Sequence, residues 1–111
     1  MSANVWTFVC ASCELLPGET RTVFDDVTGT PILVLNRDGD LYALEDRCSH
    51  ADFELSSGAF DAVEGSIECL LHGARFDIRD GKPLCPPAYS PVPVFPVRRD
   101  DTGVWTRDDR D

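Results

Sequence analysis

Apolar and polar positions alternate over short runs along this chain, and turn residues separate one run from the next. No segment of ten or more residues shows a helical period, although we expect one short helical turn between Asp52 and Glu64. Evenly spaced short strands predict an all-β fold, an antiparallel sandwich or barrel. Eight segments show the strand-like pattern: VWTFVC from Val5, RTVF from Arg21, TPILVLN from Thr30, LYALED from Leu41, SIECL from Ser66, ARFDI from Ala74, VPVFPVRR from Val92 and GVWT from Gly103.

Turn residues fix how these runs connect. NRDGD, from Asn36, joins the third and fourth runs in a predicted hairpin, because Asp-Gly favours the left-handed turn conformation. A second turn, RDGK, follows ARFDI. Five prolines between Pro83 and Pro93 cannot donate to a β-ladder and predict a stiff loop. That loop is either an ordinary connection or a rigid wall beside a site. The C-terminal TRDDRD is expected to be a solvated, frayed tail.

Size and charge restrict the function. A chain of 111 residues predicts one domain, residues 1–111. Twenty acidic and ten basic residues give a net charge of −10, which disfavours nucleic acid and membrane as partners. The same charge would attract a protein with a basic patch, or it only keeps the chain soluble. The N-terminal sequence has neither a basic n-region nor a long apolar run, so we expect a cytoplasmic protein.

The chain places each of its two histidines beside a cysteine, in Cys48-x-His50 and Cys69-x-x-His72. Each pair follows a predicted strand, so both loops can project from one end of a sheet. The spacing predicts a metal site. Two cysteines and two histidines suit tetrahedral zinc. One ligand of each kind on each loop also suits a [2Fe–2S] cluster, in which cysteines hold one iron and histidines the other.

These motifs resemble a known family. Cys-x-His, an 18-residue gap and Cys-x-x-His, followed by an aromatic residue and a Pro-rich loop, resemble Rieske-type iron–sulfur proteins, particularly the ferredoxins of bacterial ring-hydroxylating dioxygenases. The resemblance implies that Cys48 and Cys69 ligate the buried iron, and that His50 and His72 ligate the outer iron at a solvent-facing tip. It also implies an antiparallel Rieske-like β-sandwich or barrel, with a cluster-binding subdomain at about 44–88 on a base formed by both ends of the chain.

The resemblance implies an electron carrier and not an enzyme. The protein would take single electrons from a flavin-containing reductase and pass them to a terminal aromatic-ring-hydroxylating oxygenase. We expect a monomer whose apolar residues near the tip, Leu71, Phe53 and Pro86, form the dry centre of a transient interface. The alternative from the residues alone is a structural zinc module for protein binding.

Departures from the respiratory members of the family predict a low reduction potential. Those members carry one further cysteine in each ligand loop, together with Ser and Tyr hydroxyls near the cluster. This chain has no such cysteines, and it has Ala74 and Phe76 in place of the hydroxyls. Asp46, Asp52 and Asp77 would add negative charge near the cluster, which disfavours an incoming electron.

Three cysteines remain outside the ligand motifs. Cys10 and Cys13 have the Cys-x-x-Cys spacing of a redox-active dithiol, but no helix or βαβ pattern follows them, which favours structural thiols. Cys85 lies in the Pro-rich loop, where it either lines the cluster or packs as a small apolar residue.

Overall fold

The computed structural model describes residues 5–48, 53–70, 73–85 and 90–110. Every sheet in these residues is antiparallel, which confirms the predicted all-β class. This part of the chain contains no helix that is long and apolar enough to cross a membrane. Its strands are Thr7–Cys10 (β1), Thr20–Phe24 (β2), Pro31–Arg37 (β3), Asp40–Glu45 (β4), Ala59–Asp61 (β5), Ser66–Glu68 (β6), Arg75–Asp77 (β7), Val94–Phe95 (β8), Val97–Arg99 (β9) and Val104–Thr106 (β10).

The strands form three small sheets, in the orders β1-β10-β9, β2-β3-β4-β8 and β5-β6-β7. The first sheet pairs the strand nearest the N-terminus with the strand nearest the C-terminus. This pairing confirms the prediction that both ends of the chain enter one base. The third sheet is a meander of three-residue strands, and Cys69 directly follows β6.

Strand β3 is buried on both of its faces. Ile32 and Val34 point into one cluster of buried side chains, which also holds Cys10 and Phe95 and is called here the base core. Leu33 and Leu35 point into a second cluster, called here the loop core. Successive strand residues face opposite sides, so an uninterrupted apolar run is the pattern of a strand covered on both sides. This strand therefore joins the two cores.

The hairpin between β3 and β4 has the predicted two-residue turn. Arg37 pairs with Asp40, and the residues between them, Asp38 and Gly39, have φ angles of 55° and 96°. Positive φ at both positions is the geometry that Asp-Gly favours and that matches the twist of paired strands. The side chain of Asn36 fixes the turn, because its Oδ1 accepts from the Gly39 N–H at 2.8 Å.

Two details of the predicted strands were wrong. VPVFPVRR forms two strands instead of one, since β8 pairs with β4 and β9 pairs with β10. Pro96 separates them, because it has no N–H for a ladder and lets the chain pass from one sheet to the other. Within 52–64 the expected helical turn is present as the 3₁₀ turn Leu55–Ser57, but strand β5 follows it and was not predicted.

The prediction of a frayed C-terminal tail was also wrong. Asp108 is 8% exposed, and its backbone N–H donates to Oδ1 of Asp25, which is 4% exposed. The Arg110 guanidinium donates to the Asp108 carboxylate and thereby lowers the pKa of Asp108. The hydroxyl of Thr30 donates to the same carboxylate. These bonds tie the tail to the loop between β2 and β3.

The Asp25 carboxylate predicts a loss of stability in acid. Burial alone would raise the pKa of Asp25, but hydrogen bonds from the N–H groups of Asp108, Thr28 and Val27 outweigh burial and lower the pKa. A lowered folded-state pKa means that the stabilisation is complete above the unfolded-state value of about 3.9 and disappears as the pH falls through the folded-state value. We expect the free energy of unfolding to fall below about pH 5.

Asp25→Asn should lower the free energy of unfolding at pH 7 by about 1–3 kcal/mol, and by less at pH 3, in urea titrations followed by far-UV circular dichroism. The exposed Asp101 provides the matched control, Asp101→Asn, which should change little at either pH. The role of Asp25 would be contradicted if both substitutions lowered the free energy of unfolding equally. It would also be contradicted if Asp25→Asn had as large an effect at pH 3 as at pH 7.

Candidate metal centre

The structure brings the two predicted cysteine ligands into one buried region. Cys48 follows β4 and is 2% exposed, and Cys69 follows β6 and is 0% exposed. Both belong to the loop core. Two cysteines that lie 21 positions apart in the sequence therefore share a water-free environment.

The two cysteines begin loops that close in the same way. The N–H of Cys48 donates to the carbonyl of Phe53 at 2.8 Å, and the N–H of Cys69 donates to the carbonyl of Ala74 at 2.7 Å. Each bond spans five residues, so each cysteine is held at the base of a short closed loop. The second loop also needs Gly73, which has a φ of 75° and donates its N–H to the Cys69 carbonyl at 3.0 Å.

The first loop has a carboxylate anchor. Oδ1 of Asp46 accepts from the Ser56 N–H at 2.7 Å, and Oδ2 accepts from the Ser56 hydroxyl at 2.8 Å. These bonds tie the residues just before Cys48 to the 3₁₀ turn that follows Phe53. This role of Asp46 was not predicted from the sequence, where it was expected only to add charge. No local capping signal indicates it, because Asp46 lies ten residues before Ser56 and the N-cap residue, Glu54, makes no side-chain capping bond.

The second loop contacts the start of the Pro-rich stretch. The Leu84 N–H donates to the Arg75 carbonyl at 2.7 Å, and the Cys85 thiol donates to the Gly73 carbonyl at 3.5 Å. Contacts with Cys85 and then Glu64 raise the pKa of the Arg75 guanidinium. Cys85 thus lies beside the loop that begins with Cys69, which favours the interpretation of this stretch as a wall of the site.

The surroundings of the two cysteines contain no hydroxyl at the positions singled out in the sequence. Ala74 and Phe76 are both 0% exposed and pack in the loop core with Cys48 and Cys69. Asp77, whose neighbour Phe76 points into the loop core, pairs its carboxylate with Arg79 at 2.6 Å, and this hydrogen bond lowers the pKa of Asp77. The apolar wall leaves the cysteines in a dry environment of low polarity.

Two thiols placed in this way fit a soft metal centre, since cysteine sulfur is the ligand for iron–sulfur clusters and for zinc. The predicted histidine ligands, His50 and His72, lie outside the described residues, as do Leu71, Asp52 and Pro86. Among the residues that the structure describes, no further group of three or more cysteine, histidine or acidic side chains is placed to hold a metal ion.

The Cys-x-x-Cys pair does not have the geometry of a dithiol catalyst. Cys10 is the last residue of β1 and is 3% exposed, whereas Cys13 is exposed. Burial raises the pKa of the Cys10 thiol, which disfavours the reactive thiolate. A redox dithiol usually lies at a helix N-terminus that stabilises the thiolate, and a strand end gives no such help. The structural interpretation of Cys10 is therefore favoured.

A cleft with a volume of about 360 Å³ opens beside the first loop. Its apolar lining includes Phe24, which is 69% exposed, and Phe53, which closes the loop that begins with Cys48. Asp46 and Glu54 add carboxylates to the same cleft. An exposed apolar patch rimmed by charge is typical of a surface that contacts another protein.

Comparison with known proteins agrees with this geometry. The family model of the Rieske [2Fe-2S] domain matches residues 5–96. The chain is 39% identical to the ferredoxin component of biphenyl 2,3-dioxygenase from Rhodococcus jostii (strain RHA1), over 88% of each chain. It is 35% identical to the ferredoxin subunit of biphenyl dioxygenase from Pseudomonas sp. (strain KKS102), over 84% of this chain and 83% of that one.

A solved structure shows the same fold. The ferredoxin of carbazole 1,9a-dioxygenase from Nocardioides aromaticivorans IC177 matches with a TM-score of 0.85 and 34% identity, over 94% of this chain and 98% of that chain. The family match spans both closed loops and strands β1 to β8, and the structural match covers 94% of the chain. The chain with its two buried cysteines therefore belongs to the Rieske [2Fe–2S] domain family and is built to carry that family's cluster.

Proposed function

We propose that this protein is an electron carrier that moves one electron at a time, on a Rieske [2Fe–2S] cluster, from a flavin-containing reductase to a terminal aromatic-ring-hydroxylating oxygenase. The observation that carries the proposal is the pair of equivalent closed loops, each beginning with a buried cysteine of the loop core. Relatives of this chain are ferredoxin components of biphenyl dioxygenases, and another similar structure, with 33% identity and a TM-score of 0.84, is a complex of oxygenase and ferredoxin in carbazole 1,9a-dioxygenase.

The ligands that we propose are Cys48 and Cys69 for one iron and His50 and His72 for the other. The bound cluster supplies a site that accepts and releases single electrons. The chain's own residues hold the two cysteines by backbone hydrogen bonds and exclude water from them with Ala74, Phe76 and other apolar side chains. A fixed, dry site lets the charge of the centre change with little rearrangement of its surroundings.

We place the carrier in the cytoplasm, as a monomer of one domain, with a cluster-binding subdomain at about 44–88. The cysteines support this location, because Cys10, Cys13 and Cys85 form no disulfide. The surface near the first loop, with Phe53 and Phe24, is the proposed contact for redox partners. The net charge of −10 would steer partners with basic surfaces toward the protein.

Cluster assembly should require each proposed ligand. We expect Cys69→Ser protein to be colourless and less stable, because the metal centre also cross-links two loops. Visible absorption and electron paramagnetic resonance spectra measure the cluster. Cys13→Ser is the matched control and should keep the reddish-brown colour, since Cys13 is exposed and lies outside the loop core.

A Cys69→Ser protein with the full spectrum and unchanged g-values would disprove the ligand assignment. A wild-type protein that is colourless and contains zinc would instead support the structural zinc module and exclude the electron carrier.

The reduction potential should lie in the lower part of the Rieske range of about −150 to +300 mV. Reduction makes the cluster more negative, and hydroxyl donors would stabilise that state, but Ala74 and Phe76 offer none. The double substitution Ala74→Ser with Phe76→Tyr should raise the midpoint measured by protein-film voltammetry. A wild-type midpoint above roughly +100 mV, or a double variant with a lower midpoint, would contradict this prediction.

Electron transfer from the reductase should weaken as salt is added. The acidic surface of the protein attracts basic partners at long range, and the Debye length falls from about 10 Å at 0.1 M to about 3 Å at 1 M salt. The measurement is reductase-coupled reduction of the oxygenase as a function of ionic strength. A rate that stays constant or rises with salt would argue against electrostatic steering.

A further inference from the structure

The outer face of the sheet β1-β10-β9 carries aromatic and arginine side chains. The strand register places Phe8 opposite Trp105, and Trp105 opposite Arg98. Residues opposite one another in antiparallel strands project from the same face. Thr7 and Thr106, the neighbouring pair in the ladder, are buried at 2% and 0% exposure, so the row with Phe8 faces outward.

Two further side chains extend this row. The guanidinium of Arg107 lies 4.8 Å from the ring centroid of Trp6, and that of Arg98 lies 5.0 Å from the same centroid. Arg98 is also 5.9 Å from the Trp105 ring, which meets the Phe8 ring edge to face at 5.1 Å. We call these five residues the aromatic–arginine face. Cation–π and aromatic contacts hold its side chains in place before any partner binds.

The two arginines of this face have no carboxylate partner among the described residues. Arg75 pairs with Glu64 and Arg110 with Asp108, whereas Arg37 and Arg99 donate to backbone carbonyls. Arg98 and Arg107 have neither kind of acceptor among the described residues. Hydrogen bonds from Thr102 and then Gly103 lower the pKa of Asp100, and the charge of Arg98 adds only a smaller effect without a hydrogen bond. The chain has twenty acidic residues, so too few carboxylates cannot explain why these two arginines have no carboxylate partner.

Two residues of the aromatic–arginine face also have hydrogen-bond donors without acceptors. Nε and Nη1 of Arg107 and Nε1 of Trp105 are buried and have no hydrogen-bond acceptor within the part of the chain that the structure describes. A buried N–H group without an acceptor costs about 1–3 kcal/mol, so native proteins keep few of them. These three buried donors lack acceptors beside Arg98, which is exposed and whose guanidinium a partner can reach directly.

We propose that the aromatic–arginine face is a docking surface for a protein partner that presents carboxylates beside apolar side chains. Guanidinium groups bind carboxylates in a paired geometry, and tryptophan and arginine are enriched among the residues that dominate binding energy. Phe8, which is 47% exposed, and Val5, which is 49% exposed, supply apolar area. A dimer through this face would place arginines opposite arginines, which disfavours a second copy as the partner. Nucleic acid is disfavoured as well, because a net charge of −10 repels a polyanion.

This docking surface is distinct from the metal centre. The buried side of its sheet packs in the base core through Cys10 and Val104, whereas Cys48 and Cys69 lie in the loop core. A partner bound there would leave the ligand loops uncovered by that contact. The proposal therefore goes beyond electron transfer and does not require the cluster.

The test compares two substitutions with the same change of charge. Arg98→Glu alters the face, and Arg99→Glu alters the next residue, whose guanidinium donates to the Gly39 carbonyl instead. Binding of the loaded protein to the purified reductase and to the purified oxygenase is measured by isothermal titration calorimetry. We expect Arg98→Glu to weaken binding to one of them at least about tenfold, and Arg99→Glu to weaken it by less than about threefold.

A second measurement locates the contact. Both tryptophans of the chain lie in the aromatic–arginine face, so hydroxyl-radical oxidation of Trp6 and Trp105, read by mass spectrometry, reports on this surface alone. We expect the partner to protect both. If Arg98→Glu reduces the stability of the protein, Arg98→Gln is tested in its place. It should also weaken binding to the same partner by more than Arg99→Glu does.

Equal weakening by the two glutamate variants, no change with either partner, or unprotected tryptophans would overturn the proposal. The visible spectrum and the reduction by dithionite should be the same in wild type and Arg98→Glu. Wild-type protein that is reduced but passes no electron to the oxygenase would count against the proposed function alone, because docking at this face is measured without turnover.

Discussion

Burial of strand β3 on both faces is the constraint on which the other parts of the structure depend. Leu33 and Leu35 have 0% exposure on one side, and Ile32 and Val34 have 0% exposure on the other. Burying each such side chain contributes about 1.5–3 kcal/mol, but only if a separate layer covers each face. The base covers one face, and the sheet β5-β6-β7 with its loops covers the other. Neither core is complete without this strand.

The position of the two cysteines follows from that arrangement. Cys48 and Cys69 are among the side chains that cover Leu33 and Leu35, so the metal-binding loops also complete the loop core. Arg37, the last residue of β3, adds a polar link, because its guanidinium donates to the carbonyls of Ala62 and Val63 in the turn between β5 and β6. Loss of the metal centre should therefore loosen packing as well as remove the electron site.

The sequence predicts the parts of this molecule that local physics decides. The run TPILVLN and the Asp-Gly turn predict a strand that enters a tight hairpin, and both are present, but burial of the strand on both faces was not predicted. The change of sheet at Pro96 and the burial of Asp108 depend on partners that are distant in the sequence, so local pattern predicted them wrongly. The structure places Cys48 and Cys69 in one core, and the ligand roles of these two cysteines and of His50 and His72 remain predictions.

The charged side chains of this protein differ in the partners that surround them. Carboxylates inside the base, such as Asp25, are fully hydrogen-bonded, which makes them stabilising at neutral pH despite burial. The Asp77 carboxylate is paired with Arg79, which offsets its negative charge. Arg98 and Arg107 instead stack on aromatic rings and stay unpaired with carboxylates in the described chain. A partner that presents carboxylates would therefore meet two cations on one face of a protein whose net charge is −10, and this local charge would favour it over a basic partner there.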